Sequence, residues 1–301
     1  MATPNLSAAA AYGTKFAKGI LLKVFSGLAE QGITVYTGIK GPTKFGKMAA
    51  GVGLKAYNGT FTAPGGVVFT DRQLTPSLAT YETQIQPLLY YNKWMADQIR
   101  ANATAKDIPF ENYMWQQITQ EIQHELVNSV LGIGDTADVS SNLAIRITDG
   151  FHKIIDAIGL TPVTTGAITA ANVITQIESV YESIPARYRK HKMNVYMSYS
   201  VADMYNKKYR ELFHDKPLYN AFGQQTLDIG NGNCAIKPVE WITDSKIIIA
   251  PQENLVLGTD SMSDMNTVEM VKTVYGFDTA IVFSIGLQVP DPEFIWINDQ
   301  F

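Results

Sequence analysis

Cysteine is almost absent from this chain. Cys234 is the single one among 301 residues, which excludes an intrachain disulfide and fits a reducing compartment. Nor is there a run of about 18 uncharged apolar residues, so no membrane-spanning helix is expected. The most apolar N-terminal stretch, "GILLKVFSGLA", is broken by Lys23, and "LSAAAAYG" has no basic region before it, so neither reads as a targeting segment. The chain is therefore expected to be soluble and intracellular. Charge is also scarce, at 17% of residues, while Gly, Thr, Asn, Gln and Tyr are plentiful. An uncharged polar surface of this kind suits broad contacts with other protein surfaces.

Complete catalytic motifs are missing as well. "GPTKFGKM" (41–48) has the spacing of an ATPase phosphate loop, but Met48 stands where Ser or Thr must hold Mg²⁺. The best distant acid, Asp71 after "VVFT", sits in a stretch that reads as hairpin. "HELVN" (124–128) resembles a zinc-protease helix with Asn128 in place of the second histidine, which leaves His124 on a polar helix face. His152, His191 and His214 are scattered beside Lys or Asp and are expected on the solvated surface. "DSMSDMN" (260–266) lacks the glycine and distal glutamate of a calcium loop, and "GNGNC" (230–234) reads as a tight hairpin turn. No G-x-S-x-G, C-x-x-C or G-x-G-x-x-G occurs in its required context. No catalytic, cofactor-binding or metal residue is assigned, no cofactor is expected, and the chain is read as a non-enzyme.

What is present is an uneven distribution of charge. Residues 1–55 carry seven lysines (15, 18, 23, 40, 44, 47 and 55) against Glu30, a net of +6 that leaves −10 on the remainder. A basic arm on an acidic body points to nucleic acid or to an acidic neighbouring subunit. Segment 14–28, "TKFAKGILLKVFSGL", also reads as a short basic amphipathic helix of the kind that lies on membrane surfaces.

The elements follow in a definite order. "GVVFTDRQL" and "LATYETQI" (within 65–87) read as the two strands of a polar hairpin joined by "TPS", too polar to be stable alone. A helix is expected from Pro109 to Leu131, with an apolar stripe at Met114, Ile118, Ile122, Leu126 and Val130 and Asp107 as its cap. At ~1.5 Å per residue it would be a rod of roughly 34 Å. A second helix is expected over Ala170–Ser183. "NVYMSYS" reads as a strand, "SVADMYNKKYRELF" as a helix, "KIIIAPQENLVLG" as strand–turn–strand, and "TVEMVKTVYGFDTAIVFSIGLQV" as two or three strands. The fold class is α+β.

This order, together with "ITAANVITQIESVYESIPARYRKHKMNVYMSYSVADMY" (168–205) and "APQENLVLGTDSMSD" (250–264), is similar to tailed-phage major capsid proteins of the Hong Kong ninety-seven type. The resemblance implies an N-terminal arm (1–56) and an extended hairpin loop with its return (57–105). It implies a peripheral domain with a long spine helix (106–198), an axial α+β domain (199–258), and strands returning to the peripheral domain (259–301). It further implies a structural subunit that assembles with itself as hexamers and pentamers into an icosahedral shell around packaged double-stranded DNA, bound non-specifically. The subunit would assemble in the host bacterial cytoplasm and reside in the virion capsid. With no room seen for a long scaffolding segment, separate scaffolding, portal or cement proteins are expected, and no Lys–Asn cross-linking pair is nominated. Two alternatives stay open: an encapsulin-type nanocompartment shell, and a soluble α+β nucleotide-binding enzyme using the 41–47 loop. For the first resting point of the arm and hairpin tip, little contribution to the subunit's own core is expected from residues 1–30 and Leu74–Leu78.

Overall fold

A computed structural model describes residues 24–25, 27–51, 56–57, 66–86, 110–139, 142–214, 219, 223–230, 232–243, 245–260, 268–272 and 277–301. The expected cap Asp107, the DSMSDMN turn beyond Asp260, and the arm before Val24 lie outside them. Among the described residues, no helix is long and apolar enough to cross a membrane.

The spine is helix α1 (Phe110–Glu125), prolonged by one wider π-helical stretch, Leu126–Leu131. Met114, Ile118, Ile122, Leu126 and Val130 are all buried, as the stripe predicts, and Gln116, Gln117 and Gln120 face water. The π segment has a physical reason. Apolar residues spaced by four drift about 40° per step around a helix of 3.6 residues per turn, so a fifth repeat would swing away from the core. The wider turn rotates the chain back, and it buries Val127 and Leu131 along with Leu126 and Val130.

Three glycines then let backbone meet backbone below the spine. A Cβ on Gly132 would lie 2.1 Å from the carbonyl oxygen of Trp241. One on Gly134 would lie 2.4 Å from that of Thr148, and one on Gly150 would lie 2.5 Å from that of Gly132. The contact is sealed by hydrogen bonds from Gly150 N to Gly134 O (2.8 Å) and from His152 N to Gly132 O (3.1 Å). Helix α2 (Phe151–Ile158) leaves from this point and buries Phe151 and Ile155 in the same core.

Strands β1 (Thr34–Thr37), β2 (Thr43–Ala50), β3 (Val67–Leu74) and β4 (Ser77–Ile85) come from the first third of the chain. The expected 65–87 hairpin is not formed. β3 pairs antiparallel with β2, whereas β4 pairs antiparallel with β10 (Phe277–Gln288) over nine residue pairs. Only Thr75 and Pro76 separate β3 from β4, and the chain passes there from one sheet into another instead of folding back. The burial pattern explains the choice. β4 alternates, with Ala79, Tyr81 and Thr83 turned inward and Leu78, Thr80, Glu82 and Gln84 outward, so it needs a core on one side. β3 has no such inner face except at Leu74.

The larger sheet runs β1-β8-β10-β4, with β8 at Val256–Thr259 and β9 (Val268–Lys272) also paired to β10. A second sheet runs β11-β7-β5-β6, from Trp296–Ile297, Ile248–Ala250, Met193–Met197 and Cys234–Pro238. This second sheet divides two hydrophobic cores. Tyr196, Ile248, Ala250 and Ile297 face the spine, while Met193, Val195, Met197 and Ile249 face helices α3 (Val173–Glu182) and α4 (Tyr199–Phe213). Burial on both faces is why "KIIIAP" is continuously apolar instead of alternating. Strand β5 and helix α4 pack together in the second core. Cys234 is fully buried there, and burial pushes its thiol up to about 12.

Two further expectations are corrected. Residues up to 30 do enter the core: Val24, Phe25 and Leu28 are fully buried, with Phe25 edge-on to Phe283 at 5.9 Å. The described end of the 14–28 segment thus directs its apolar side into its own subunit, not toward a membrane. His152 is not on the surface. It is buried between Trp241 (6.1 Å) and Phe301 (5.6 Å), with no partner on Nε2. His124, by contrast, is exposed and bonds Asn128 at 2.8 Å, as a polar-face residue should.

Burial, with Lys246 nearby, pulls the His152 imidazole down to about 3. Below its ordinary value near 6.5 the unfolded chain takes up a proton that the folded chain refuses, so stability falls as pH drops from ~6.5 toward 3. Denaturant titrations at pH 7.5 and 4.5 should show His152→Phe losing about 3 kcal/mol less than wild type between the two. Equal losses in both proteins would mean that His152 does not set this dependence.

Candidate assembly surface

β2 and β3 form a two-stranded ribbon by themselves, in register from Thr43↔Leu74 to Ala50↔Val67. Its root is tied to the body and its far half is not. At the root, Leu74 is fully buried against Gly258 and Gly286, which are cross-strand partners on β8 and β10. A Cβ on Gly258 would come within 2.8 Å of Leu74 Cδ2, so the paired glycines make the notch that Leu74 fills. This overturns the expectation that Leu74 stays out of the core. Gln288 Nε2 donates to Gln73 O (2.6 Å), and Arg72 Nε donates to Gln288 Oε1 (3.2 Å).

Lys47 completes the attachment. Its ammonium lies 2.7 Å from Asp291 Oδ1 and 3.0 Å from Glu293 Oε2, and Tyr188 OH donates to Glu293 Oε2 at 3.1 Å. Partial burial alone would lower the Lys47 pKa, but the two carboxylates outweigh it and raise it. Lys47 also pulls Glu293 below its usual range, with help from Tyr188. Lys44 pairs with Asp71 on the exposed face at 2.6 Å. Two of the seven arm lysines are therefore neutralised within the subunit.

The same geometry removes the phosphate-loop reading. Residues 43–50 are extended, with their backbone groups in the ladder to β3, and no helix begins at Lys47. The Lys47 ammonium is held by two carboxylates, and Asp71 answers Lys44. The "GNGNC" turn does close a short hairpin, with Leu227 N bonded to Cys234 O at 2.9 Å and Ile236 N to Gln225 O at 2.7 Å.

Beyond Lys47 both faces of the ribbon are open. Met48 and Phe69 are directly opposite one another and share a face with Ala50 and Val67. Phe69 is 75% exposed, and Met48, Val67 and Val68 are each more than half exposed. An apolar two-stranded ribbon in water is marginal at best, and a contiguous apolar face marks a contact site. The sequence pointed to a ribbon needing a neighbour, but it put the ribbon one strand too late. The signal available was the loss of alternation after Lys47.

No protein-family model and no curated protein sequence matches the chain. Solved structures do. A chain of the satellite phage P4 procapsid with its size-determination (Sid) protein superposes with a TM-score of 0.56 at 11% identity, covering 92% of this chain and 98% of that one. A chain of the capsid of the empty GTA particle gives 0.51 at 12% identity, covering 89% and 94%. One from the capsid of Myoviridae phage XM1 gives 0.50 at 12% identity, covering 90% of each. The chain has the α+β fold of phage major capsid subunits of the Hong Kong ninety-seven type.

Proposed function

We propose that this chain is a major capsid subunit, a structural protein that assembles with itself into a closed icosahedral shell around phage DNA. The observation that carries the reading is the capsid-subunit fold over nine-tenths of the chain. The ribbon gives that fold a use. An apolar face on one copy meeting a different surface on the next is a heterologous contact, and such contacts close into rings when the rotation permits. Hexamers and pentamers are the rings that build an icosahedral shell. The body around the spine and the larger sheet takes the place of the peripheral domain. The body of α3, α4 and their sheet takes the place of the axial domain, and the extended loop becomes 43–74. Separate scaffolding, portal or cement proteins complete the assembly, which takes place in the host bacterial cytoplasm. No turnover chemistry is assigned to the subunit.

Electron microscopy of the expressed protein tests this directly. Closed shells, with nucleic acid in those recovered from lysed host cells, are the expected result. A protein that stays monomeric at high concentration, with and without its co-expressed genomic neighbours, overturns the reading. Shells packed with a cargo enzyme instead of DNA would favour the nanocompartment alternative.

A further inference from the structure

The turn between α3 and β5 concentrates positive charge on an otherwise acidic body. Arg187, Arg189, Lys190 and Lys192 fall within six residues, whereas the chain after residue 55 sums to −10. Arg187, Lys190, His191 and Lys192 are exposed, and among the described residues none of them is in an ion pair.

The turn is also fixed in shape. Tyr188 N bonds Pro185 O (2.9 Å) and His191 N bonds Tyr188 O (3.0 Å), giving two successive turns. Arg189 braces them from inside, donating through Nε to Ile184 O at 2.7 Å and through its terminal nitrogen to Glu182 O. Arg187 lies over the Tyr188 ring, 4.4 Å from its centre. Beside the turn, His191 and Lys192 wall an open depression of about 810 Å³, to which Lys237, Asn194 and Gln224 add a cation and two amides. Two acids share that lining, Asp291 and Glu253, and Asp291 is already bonded to Lys47. Glu293, close to Arg187, is likewise held by Lys47 and Tyr188.

We propose that this turn and the depression beside it are the surface that grips the phosphate backbone of double-stranded DNA. That the DNA is packaged rests on the shell reading; the contact itself does not. A set of cations without ion-pair partners, on a turn whose backbone is fixed and beside an open depression of mixed lining, suits a hydrated polyanion and needs no base readout. A protein partner would instead call for large apolar or aromatic anchors in a dry centre, and the exposed residues of the turn include no Phe, Tyr or Trp and no Leu, Ile, Val or Met. The contact thus shifts from the arm, two of whose lysines are tied up at the ribbon root, to the turn.

The test is binding of a short fluorescent double-stranded DNA of mixed sequence to the full chain, at salt from ~50 to ~200 mM. Wild type should bind with steep salt dependence. The combined variant Arg187→Gln, Lys190→Gln, Lys192→Gln should bind at least about tenfold more weakly, with a log–log salt slope shallower by roughly two to three. Its melting temperature and its particles in the microscope should be unchanged, which keeps this result separate from any failure of the shell reading. Three outcomes overturn the proposal. One is wild-type DNA affinity and slope in the variant. Another is loss of particles with DNA binding intact, which would make the turn a subunit interface. The third is DNA binding abolished by Lys15→Gln, Lys18→Gln, Lys23→Gln alone, which would return the contact to the arm.

Discussion

Deleting residues 2–30 is expected to unfold the subunit, not merely to stop it assembling. The deletion removes Val24, Phe25 and Leu28, all fully buried, along with the bond from Gln123 Nε2 to Val24 O (3.1 Å) that ties this segment to the spine. Emptying a buried Leu or Phe site costs about 2–5 kcal/mol each, and total stabilities are only about 5–15 kcal/mol. Losing all three sites at once consumes most or all of that margin. Phe25→Ala alone should cost about 3–5 kcal/mol, a fall in Tm on the order of 10 °C. Circular dichroism melts and protease resistance of the two proteins decide it. A truncated chain melting at the wild-type temperature would mean that this helical turn does not belong to the core.

Ile122→Asp is expected to be nearly as damaging. Ile122 is 2% exposed at the middle of the spine stripe, facing the core that also holds Phe283 and Leu126. A carboxyl buried there must shift its pKa up by about 3–5 units to stay neutral at pH 7, or carry an unpaired charge. Either way the loss is on the order of 5 kcal/mol, before adding that of the isoleucine's own burial. Gln120→Asp, two residues earlier on the wet side, serves as the control and should change stability by less than about 1 kcal/mol. An Ile122→Asp protein with a wild-type denaturation midpoint would show that the stripe faces the other way.

These two cases also mark how far the sequence could be read. The spine was legible because five apolar residues at a fixed spacing have one helical reading, and α3 and α4 were legible for the same reason. The π-helical end was not, since only the packing shows that a strict four-residue repeat must be unwound to stay buried. The ribbon was placed one strand late because β-rich runs in "GVVFTDRQL" and "LATYETQI" look like natural partners. Pairing is decided by which strand has a core to face, and that information sits some 200 residues away on β10. His152 was misplaced for a related reason: the adjacent Lys153 suggested a solvated position, while its neighbours in space are Trp241 and Phe301. Of the candidate surface, the basic turn and the need for a ribbon partner could be seen. The notch made by Gly258 and Gly286 could not, because two glycines gain meaning only when register brings them side by side.

The solitary thiol has a practical consequence for handling the protein. Cys234 has no exposed surface, and its high pKa leaves almost no thiolate at neutral pH, so maleimides and disulfide reagents should pass it by. A cysteine introduced at Tyr57, which is 97% exposed, would then be the one reactive sulfur in each subunit. Each free subunit would carry one address for a dye, a metal cluster or a peptide, without first removing the native cysteine.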